Sequence, residues 1–164
     1  MPLVMVRIDD RLIHGQVVVG WGNVIKPDRI LLASDEVATV EWQKTIYLSA
    51  VPEDLKASVL SLDETIEKLK NNAFEKERVL LLVDSPKSVV YLVEHGIEIN
   101  EVNVGGMHFR PGKNQISNFI FVNQEDVDNF KKLREKDIHL EGRDVPTRTP
   151  IDIAESLGIN GKNS

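Results

Sequence analysis

The stretch Arg78 to Val83 has the sequence Arg-Val-Leu-Leu-Leu-Val, in which five aliphatic residues follow one another without interruption. A strand with one solvated face alternates apolar and polar residues, whereas an unbroken run is typical of a strand covered on both faces in a parallel sheet. Similar short runs occur along the chain at Leu3 to Ile8, Arg29 to Ser34, Ala57 to Leu62, Glu101 to Val104 and Asn118 to Val122. These runs predict a central, mostly parallel sheet.

Segments with helical spacing lie between the runs. In Asp63 to Asn72 the apolar residues fall on one helical face, and Glu125 to Lys136 shows the same pattern. Alternating strands and helices predict a doubly wound α/β fold with helices on both faces of the sheet. Near the C-terminus we interpret Ile138 to Arg143 as a last strand, which can be an antiparallel edge strand, and Ile151 to Leu157 as a short helix.

Length and composition are those of one ordinary domain, with 164 residues, of which 41% are hydrophobic and 28% charged. We interpret residues 1–160 as a single domain and residues 161–164 as a frayed tail. The formal charge of -6 argues against nucleic acid as a partner, and the absence of cysteine excludes disulfides and cysteine-based metal sites. No basic leader and no segment near the ~20 apolar residues of a membrane span is found, so we expect a cytoplasmic protein.

Two loops beyond the carboxyl ends of predicted strands carry most of the polar chemistry, at the edge where ligands bind in open α/β sheets. The loop after the first strand holds two arginines, two aspartates and a histidine within eight residues: Arg7, Asp9, Asp10, Arg11 and His14. The loop after the fifth strand holds a glycine pair and two basic residues: Gly105, Gly106, Arg110 and Lys113.

The first loop has the residues that a phosphoryl acceptor needs. His14 lies just before an apolar helical segment, and the N–H groups of a helix N-terminus favour an anion. Arg7 and Arg11 offer forked donors for phosphate oxygens. Either Asp9 or Asp10 can hold the imidazole in one tautomer by accepting its other N–H. The alternative is that the histidine is a solvated bystander and that the aspartates form turns or caps.

Glycines adjoin both loops. Gly15 is expected to allow a tight turn directly after the histidine. Gly105 and Gly106 are expected to let the backbone approach a ligand and point N–H groups at an anion, with Arg110 adding positive charge, although plain turn chemistry is the alternative. Neither a GxGxxG nor a GxxxxGK[ST] motif occurs, so we expect no nucleotide cofactor.

The three other histidines are assigned no role in chemistry. His95 is expected at the end of a helix, His139 in the late strand, and His108 on the rim of the glycine-rich loop. Because no two histidines have the i, i+4 spacing of a helical ligand pair, no metal site is expected.

The segment Val6 to Val17, Val-Arg-Ile-Asp-Asp-Arg-Leu-Ile-His-Gly-Gln-Val, closely resembles a known phosphorylation-site motif. It is the motif of the IIB subunits of the mannose/fructose/sorbose family of the bacterial sugar phosphotransferase system. Further matches are Ser34 to Ala38, Val102 to Met107 and Phe109 to Lys113, and the resemblance extends to about residue 157.

The resemblance implies a protein-Nπ-phosphohistidine–sugar phosphotransferase without cofactor or metal. His14 would take a phosphoryl group onto Nδ1 from the histidine of a IIA protein. It would then pass the group to a sugar brought by the membrane subunits IIC and IID. Asp10 and Arg11 fall on the motif positions that flank the phosphoryl site, whereas roles for Arg7 and the glycine-rich loop are an extension from geometry.

The resemblance also implies protein partners and a location in the cell. Because this chain contains no IIA half, a separate IIA protein is expected. The chain is further expected to form a homodimer and to associate with the inner face of the membrane through IIC and IID. The sugar stays open among mannose, fructose, sorbose, N-acetylgalactosamine and related compounds.

Two other functions are compatible with the residues alone. A response-regulator-like receiver would use Asp9 and Asp10 to hold Mg²⁺ and would be phosphorylated on Asp63 or Asp84. A small-ligand-binding α/β module would use His14 only as a contact residue.

Overall fold

The computed structural model describes residues 2–159 and contains nine strands. They are β1 (Leu3–Asp9), β2 (Arg29–Ala33), β3 (Lys56–Leu60), β4 (Val79–Val83), β5 (Glu101–Gly106), β6 (Asn114–Ser117), β7 (Ile120–Val122), β8 (His139–Gly142) and β9 (Ile151–Asp152). Seven form one sheet in the order β3-β2-β4-β1-β5-β8-β9, in which only β9 is antiparallel to its neighbour. β6 and β7 form a separate antiparallel pair.

Helices follow most of the strands. A π-helical segment (Gln16–Trp21) continues directly into α1 (Gly22–Ile25). The other helices are α2 (Asp35–Thr39), α3 (Glu41–Ser49), α4 (Leu62–Lys70), α5 (Pro86–Glu94), α6 (Gln124–Glu135) and α7 (Ile153–Leu157). Sequence-coded caps fix several starts. Ser61 and Glu64 form a reciprocal capping box at α4, and Asn123 and Asp126 do the same at α6.

The hydrophobic core has two layers, one on each face of the sheet. On one face the sheet packs against α4, α5, α6 and α7, and on the other against the π-helical segment, α2 and α3. All five residues of β4 are 0% exposed, because alternate side chains enter the two layers. The predicted doubly wound fold is therefore confirmed, and the unbroken aliphatic run has the double burial that it indicated.

Two strand predictions need correction. The run Asn118 to Val122 contains β7, but this strand pairs with β6 outside the main sheet, and a bridge between Ile120 and Met107 links it to the chain directly after β5. The segment Ile138 to Arg143 forms β8, which is parallel to β5 because α6 carries the chain back across the sheet.

The antiparallel edge strand is instead β9, at the start of the segment that was predicted to be wholly helical. The predicted tail 161–164 lies outside the described residues, and the interpretation of residues 1–160 as one domain stays a prediction.

Candidate active site

The loop after β1 turns at Leu12. This residue has φ 63°, in the left-handed region, and its N–H donates to the carbonyl of Asp9 at 2.9 Å. The turn was predicted at Gly15, and that prediction is wrong. Gly15 has φ -55° and ψ -40°, an ordinary helical conformation, and nothing lies within 4 Å of the place where its Cβ would be. Its relevant property is the open space beside His14.

Asp9 is the centre of the site. Its side chain is 0% exposed, and its Oδ2 lies 3.2 Å from Arg7 Nη2, 3.0 Å from Arg11 Nη2 and 3.0 Å from His14 Nε2. The Nε of Arg11 donates to Oδ1 at 3.0 Å, which makes that contact bidentate. The sequence left open which aspartate holds the imidazole, and the structure places Asp9 there.

The charge state of Asp9 is fixed by its partners. Burial alone would raise the pKa of this carboxyl, but hydrogen bonds from His14 and Arg11, together with the charge of Arg7, lower the pKa to about 2. The carboxylate is therefore ionised at neutral pH and accepts from its neighbours. A neutral His14 ring then carries its proton on Nε2, so that Nδ1 keeps its lone pair. The backbone N–H of Gln16 points at this nitrogen from 3.3 Å.

Arg7 lies beneath Asp9 and is 0% exposed. The expectation that it clamps a phosphate is therefore wrong, because β1 directs its side chain into the protein. Its Nη1 donates to Asn103 Oδ1 and, at 3.0 Å, to the carbonyl of Arg143, while its guanidinium lies 5.1 Å from the centre of the Trp21 ring. Burial lowers the pKa of Arg7 to about 10, so it still carries its charge at neutral pH.

The segment 142–147 closes this buried site. The carbonyl of Asp144 accepts from Arg7 Nη2 at 2.8 Å and from Trp21 Nε1 at 2.9 Å. Trp21, Asn103 and the carbonyl of Asp144 are site residues that the sequence analysis missed. Asn103 lies in the matched segment Val102 to Met107, but nothing in the sequence indicates a contact with Arg7, which all three groups meet only through the tertiary fold.

Gly105 and Gly106 make room for side chains of this chain. A Cβ on Gly105 would lie 1.9 Å from Arg7 Nη2, and one on Gly106 would lie 3.1 Å from Asp9 Oδ1. A Cβ contact under 3.0 Å forces an atom to move, so Gly105 is required for the buried guanidinium to lie across β5. The predicted close approach occurs here, but the group that approaches is Arg7 rather than a ligand.

Gly105→Ala is expected to lower the free energy of unfolding by about 1–3 kcal/mol, because the new methyl group displaces the Arg7 guanidinium from Asp9. Urea unfolding of the two proteins measures this difference. Gly15→Ala is the matched control and is expected to change stability by less than about 1 kcal/mol, since its Cβ meets no neighbour. Equal effects of the two substitutions would contradict the packing described for Gly105.

Asp10 turns away from His14. Its Oδ2 accepts from the backbone N–H of His108 at 2.7 Å, and its Oδ1 contacts Nδ1 of the same residue. This pair ties the loop after β1 to the loop after β5. His108 therefore has a carboxylate partner at the rim of the site, where the sequence analysis expected a plain polar residue.

The basic residues of the two loops do not gather around His14. Arg11 touches the Asp9–His14 pair, whereas Lys113 forms an ion pair with Asp126 at 3.0 Å. Arg110 is exposed and lines a neighbouring cleft of about 520 Å³ together with Asp10 and Lys113. Within residues 2–159 its guanidinium has no hydrogen-bond or ion-pair partner.

The arrangement of a Mg²⁺-dependent receiver is not present among the described residues. Asp9 is surrounded by the donors Arg7, Arg11 and His14, and Asp10 faces His108, so the two carboxylates do not converge. Asp63 accepts from Tyr91 at 2.6 Å, and Asp84 from Ser88 at 3.3 Å. In the part of the chain from 2 to 159, no three His, Asp or Glu side chains are grouped to hold a metal ion.

Residues 3–164 match the family described as "PTS system sorbose subfamily IIB component". The chain belongs to this family. It is 37% identical to the fructose-specific EIIB component of Bacillus subtilis, over 96% of both chains. It is 43% identical to the mannose-specific EIIAB component of Escherichia coli K12, of which it spans 49%. The crystal structure of the IIB domain of the sorbose permease from Klebsiella pneumoniae superimposes with a TM-score of 0.92 at 32% identity, covering 96% of this chain and 97% of that one.

As a IIB component of the phosphotransferase system, the protein has a phosphotransferase role and works with IIA and IIC/IID partners. The family and the fold confirm the resemblance drawn from Val6 to Val17, and they do not favour the receiver or the simple binding module. Among residues 2–159, no helix has the length and apolar character needed to cross a membrane.

Proposed function

We propose that this IIB component carries the phosphoryl group on Nδ1 of His14, as a protein-Nπ-phosphohistidine–sugar phosphotransferase. The observation that carries the proposal is the 3.0 Å contact between His14 Nε2 and the buried carboxylate of Asp9. This contact occupies Nε2 and leaves the lone pair on Nδ1, which accepts a long 3.3 Å hydrogen bond from the Gln16 N–H and gives it up on attack on phosphorus.

The transfer is an exchange of bonds to phosphorus. Nδ1 of His14 forms a bond to phosphorus as the bond to the histidine nitrogen of phosphorylated IIA breaks. In the second half-reaction a sugar hydroxyl oxygen forms a bond to phosphorus as the bond from phosphorus to Nδ1 breaks; Nδ1 takes back the electron pair and the hydroxyl proton is released to solvent. Positive charge grows on the His14 ring during the first step, and the fixed carboxylate of Asp9 stabilises that charge.

Arg11 is the side chain best placed to meet the phosphoryl oxygens. Its Nε and Nη2 bind Asp9, and Nη2 also donates to Gln16 Oε1 at 2.9 Å. Its Nη1 makes no hydrogen bond to another residue in the range 2–159, and one third of the side chain is exposed. The guanidinium is therefore held in place with one donor edge left for the phosphoryl group.

The remaining proposed site residues support this centre. Asp10 fixes the loop through His108, and Arg7 holds Asp9 from below. Gly15 leaves the space beside His14 open. Arg110, the unpaired cation in the neighbouring cleft, is proposed to contact the incoming partner or its phosphate.

The sugar and the assembly are also matters of proposal. The relatives are named for fructose, mannose, sorbose and N-acetylgalactosamine, so we propose a sugar of this group. IIA is the proposed donor and IIC/IID the proposed acceptor, reached by peripheral association with the inner face of the membrane. A homodimer is proposed from the family resemblance, and sedimentation equilibrium tests it.

The experiment that tests the function is phosphorylation by a purified relay driven by phosphoenolpyruvate. The protein is expected to take up one phosphoryl group that survives alkali and is lost in acid, because the phosphorus–nitrogen bond of phosphohistidine breaks when the ring is protonated. A label that is lost in alkali would indicate an acyl phosphate on an aspartate. The absence of any label would indicate a binding module.

A further inference from the structure

A chain of buried polar groups runs from His14 to the opposite side of β5. His14 contacts Asp9, Asp9 contacts Arg7 at 3.2 Å, and Arg7 Nη1 donates to Asn103 Oδ1. The amide Nδ2 of Asn103 in turn donates to Glu141 Oε2 at 3.2 Å. The chain crosses three neighbouring strands, β1, β5 and β8, and Asn103 is only 2% exposed.

The identity of Asn103 fits its two neighbours. A guanidinium has only donors, so the amide oxygen must face Arg7, and the amide N–H must then face the carboxylate of Glu141. The side chain is a neutral group between a buried cation and an acid. A carboxylate at the same place would be a second anion for Arg7 and would compete with Asp9 for its charge.

We propose that Asn103 is a positioning residue for phosphoryl transfer: its neutral amide holds the Arg7 guanidinium against Asp9 and separates it from Glu141. This inference rests on the proposed function of His14. Through Arg7, the amide keeps the Asp9 carboxylate neutralised, so that this carboxylate does not hold a proton on the His14 ring.

The charges that face this chain come from several elements. Asp9 and Arg11 face His14, and Arg7 faces Asp9, from β1 and its loop. Beyond Asn103, Arg143 Nη2 lies 3.7 Å from Glu141 Oε1. The negative charge of Asp144 also acts on Arg7. In residues 2–159, two side chains accept hydrogen bonds from the Arg7 guanidinium. Asp9 is charged and Asn103 is uncharged.

Asn103→Asp tests the proposal because it changes the charge at this position with almost no change in shape. The carboxylate is expected to draw Arg7 away from Asp9, so that His14 gains a proton more readily. The ring signals of His14 in ¹⁵N-resolved NMR are expected to titrate about one pH unit higher than in the wild type. Phosphoryl uptake from IIA at pH 7 is expected to fall by roughly threefold, since a one-unit rise around the ordinary value for histidine leaves about a third as many rings neutral, with a free Nδ1 lone pair.

The control is Glu101→Gln, on the same strand and the same face two residues away, where the side chain is exposed. It also changes the charge of β5 by one, here by removing a negative charge, but does not touch Arg7, and it is expected to leave the His14 titration and phosphoryl uptake unchanged. If Asn103→Asp does not fold, Asn103→Ala removes the acceptor for Arg7 without adding charge. It is expected to shift the titration in the same direction.

An unchanged His14 titration and unchanged uptake in a folded Asn103 variant would overturn the positioning role. Different measurements test the role of Asn103 and the phosphorylation of His14. The NMR titration needs no phosphoryl donor, so it reports on Asn103 even in a protein that takes up no phosphate. A wild-type protein that is labelled at a residue other than His14 would overturn the proposed function instead.

Discussion

The variant His14→Ala is expected to take up no phosphoryl group from phosphorylated IIA, with the transfer rate reduced by roughly 10³-fold or more. The ring nitrogen that forms the bond to phosphorus is removed, and no neighbouring nucleophile occupies its place. Asp9, the nearest candidate, is 0% exposed and stays bound by the Arg7 and Arg11 guanidinium groups. Radiolabel from phosphoenolpyruvate, counted after quenching in alkali, measures the uptake.

His139→Ala is the matched control for this loss. His139 lies exposed at the start of β8, and its substitution removes the same ring without touching the loop after β1. Its labelling is expected to equal that of the wild type. Full labelling of a folded His14→Ala protein would remove His14 from the mechanism.

Asp9→Asn is expected to lower the free energy of unfolding by about 3–5 kcal/mol, the usual result of breaking a buried ion pair from one side. The asparagine keeps the volume but leaves the charge of Arg7 buried without its anion. Arg7 is 0% exposed, so water cannot replace the lost partner. Urea unfolding measures the change, and Asp10→Asn, whose carboxylate is partly exposed, is expected to cost about 1 kcal/mol or less.

The loss of stability caused by Asp9→Asn is expected to depend on pH. Hydrogen bonds and cationic neighbours outweigh burial and hold the pKa of Asp9 at about 2, below its ordinary value of 3.8. Because the pKa of Asp9 is lower in the folded than in the unfolded protein, the ionised carboxylate stabilises the fold fully at a pH above the unfolded-state pKa. That stabilisation is lost as the pH falls toward the folded-state pKa. This lowering of the Asp9 pKa contributes about 2 kcal/mol to the free energy of unfolding at neutral pH. The stability gap between wild type and Asp9→Asn is therefore expected to narrow below about pH 4. A gap of constant size down to about pH 2 would contradict this.

The fold was predictable because its strands carry a strong local pattern. Double burial of β4 leaves an unbroken aliphatic run, and the polar clusters at the ends of β1 and β5 mark the edge where parallel strands deliver their loops. The small β6–β7 pair and the antiparallel β9 were not predictable in the same way. Each is only two to four residues long and owes its pairing to tertiary contacts.

The residue types of the site were predictable from the sequence, but the burial of their side chains was not. Asp9 and Asp10 are neighbours in sequence, and only the direction in which β1 ends decides which of them meets His14. Arg7 was expected to bind phosphate oxygens, but its guanidinium is buried against Asp9. Its burial depends on Asn103 and Asp144, which lie 96 and 137 residues away in the chain. Gly105 likewise owes its role to a side chain on another strand.

The central claim is that His14 accepts the phosphoryl group on Nδ1, and the most direct test is to locate that group. The protein is phosphorylated through IIA, kept at alkaline pH, and examined by NMR for phosphorus–nitrogen coupling, with the labelled peptide identified by mass spectrometry. The account predicts one phosphoryl group, on the peptide that contains His14 and on the ring nitrogen that does not face Asp9. Phosphate on Nε2, on another histidine or on an aspartate would contradict it.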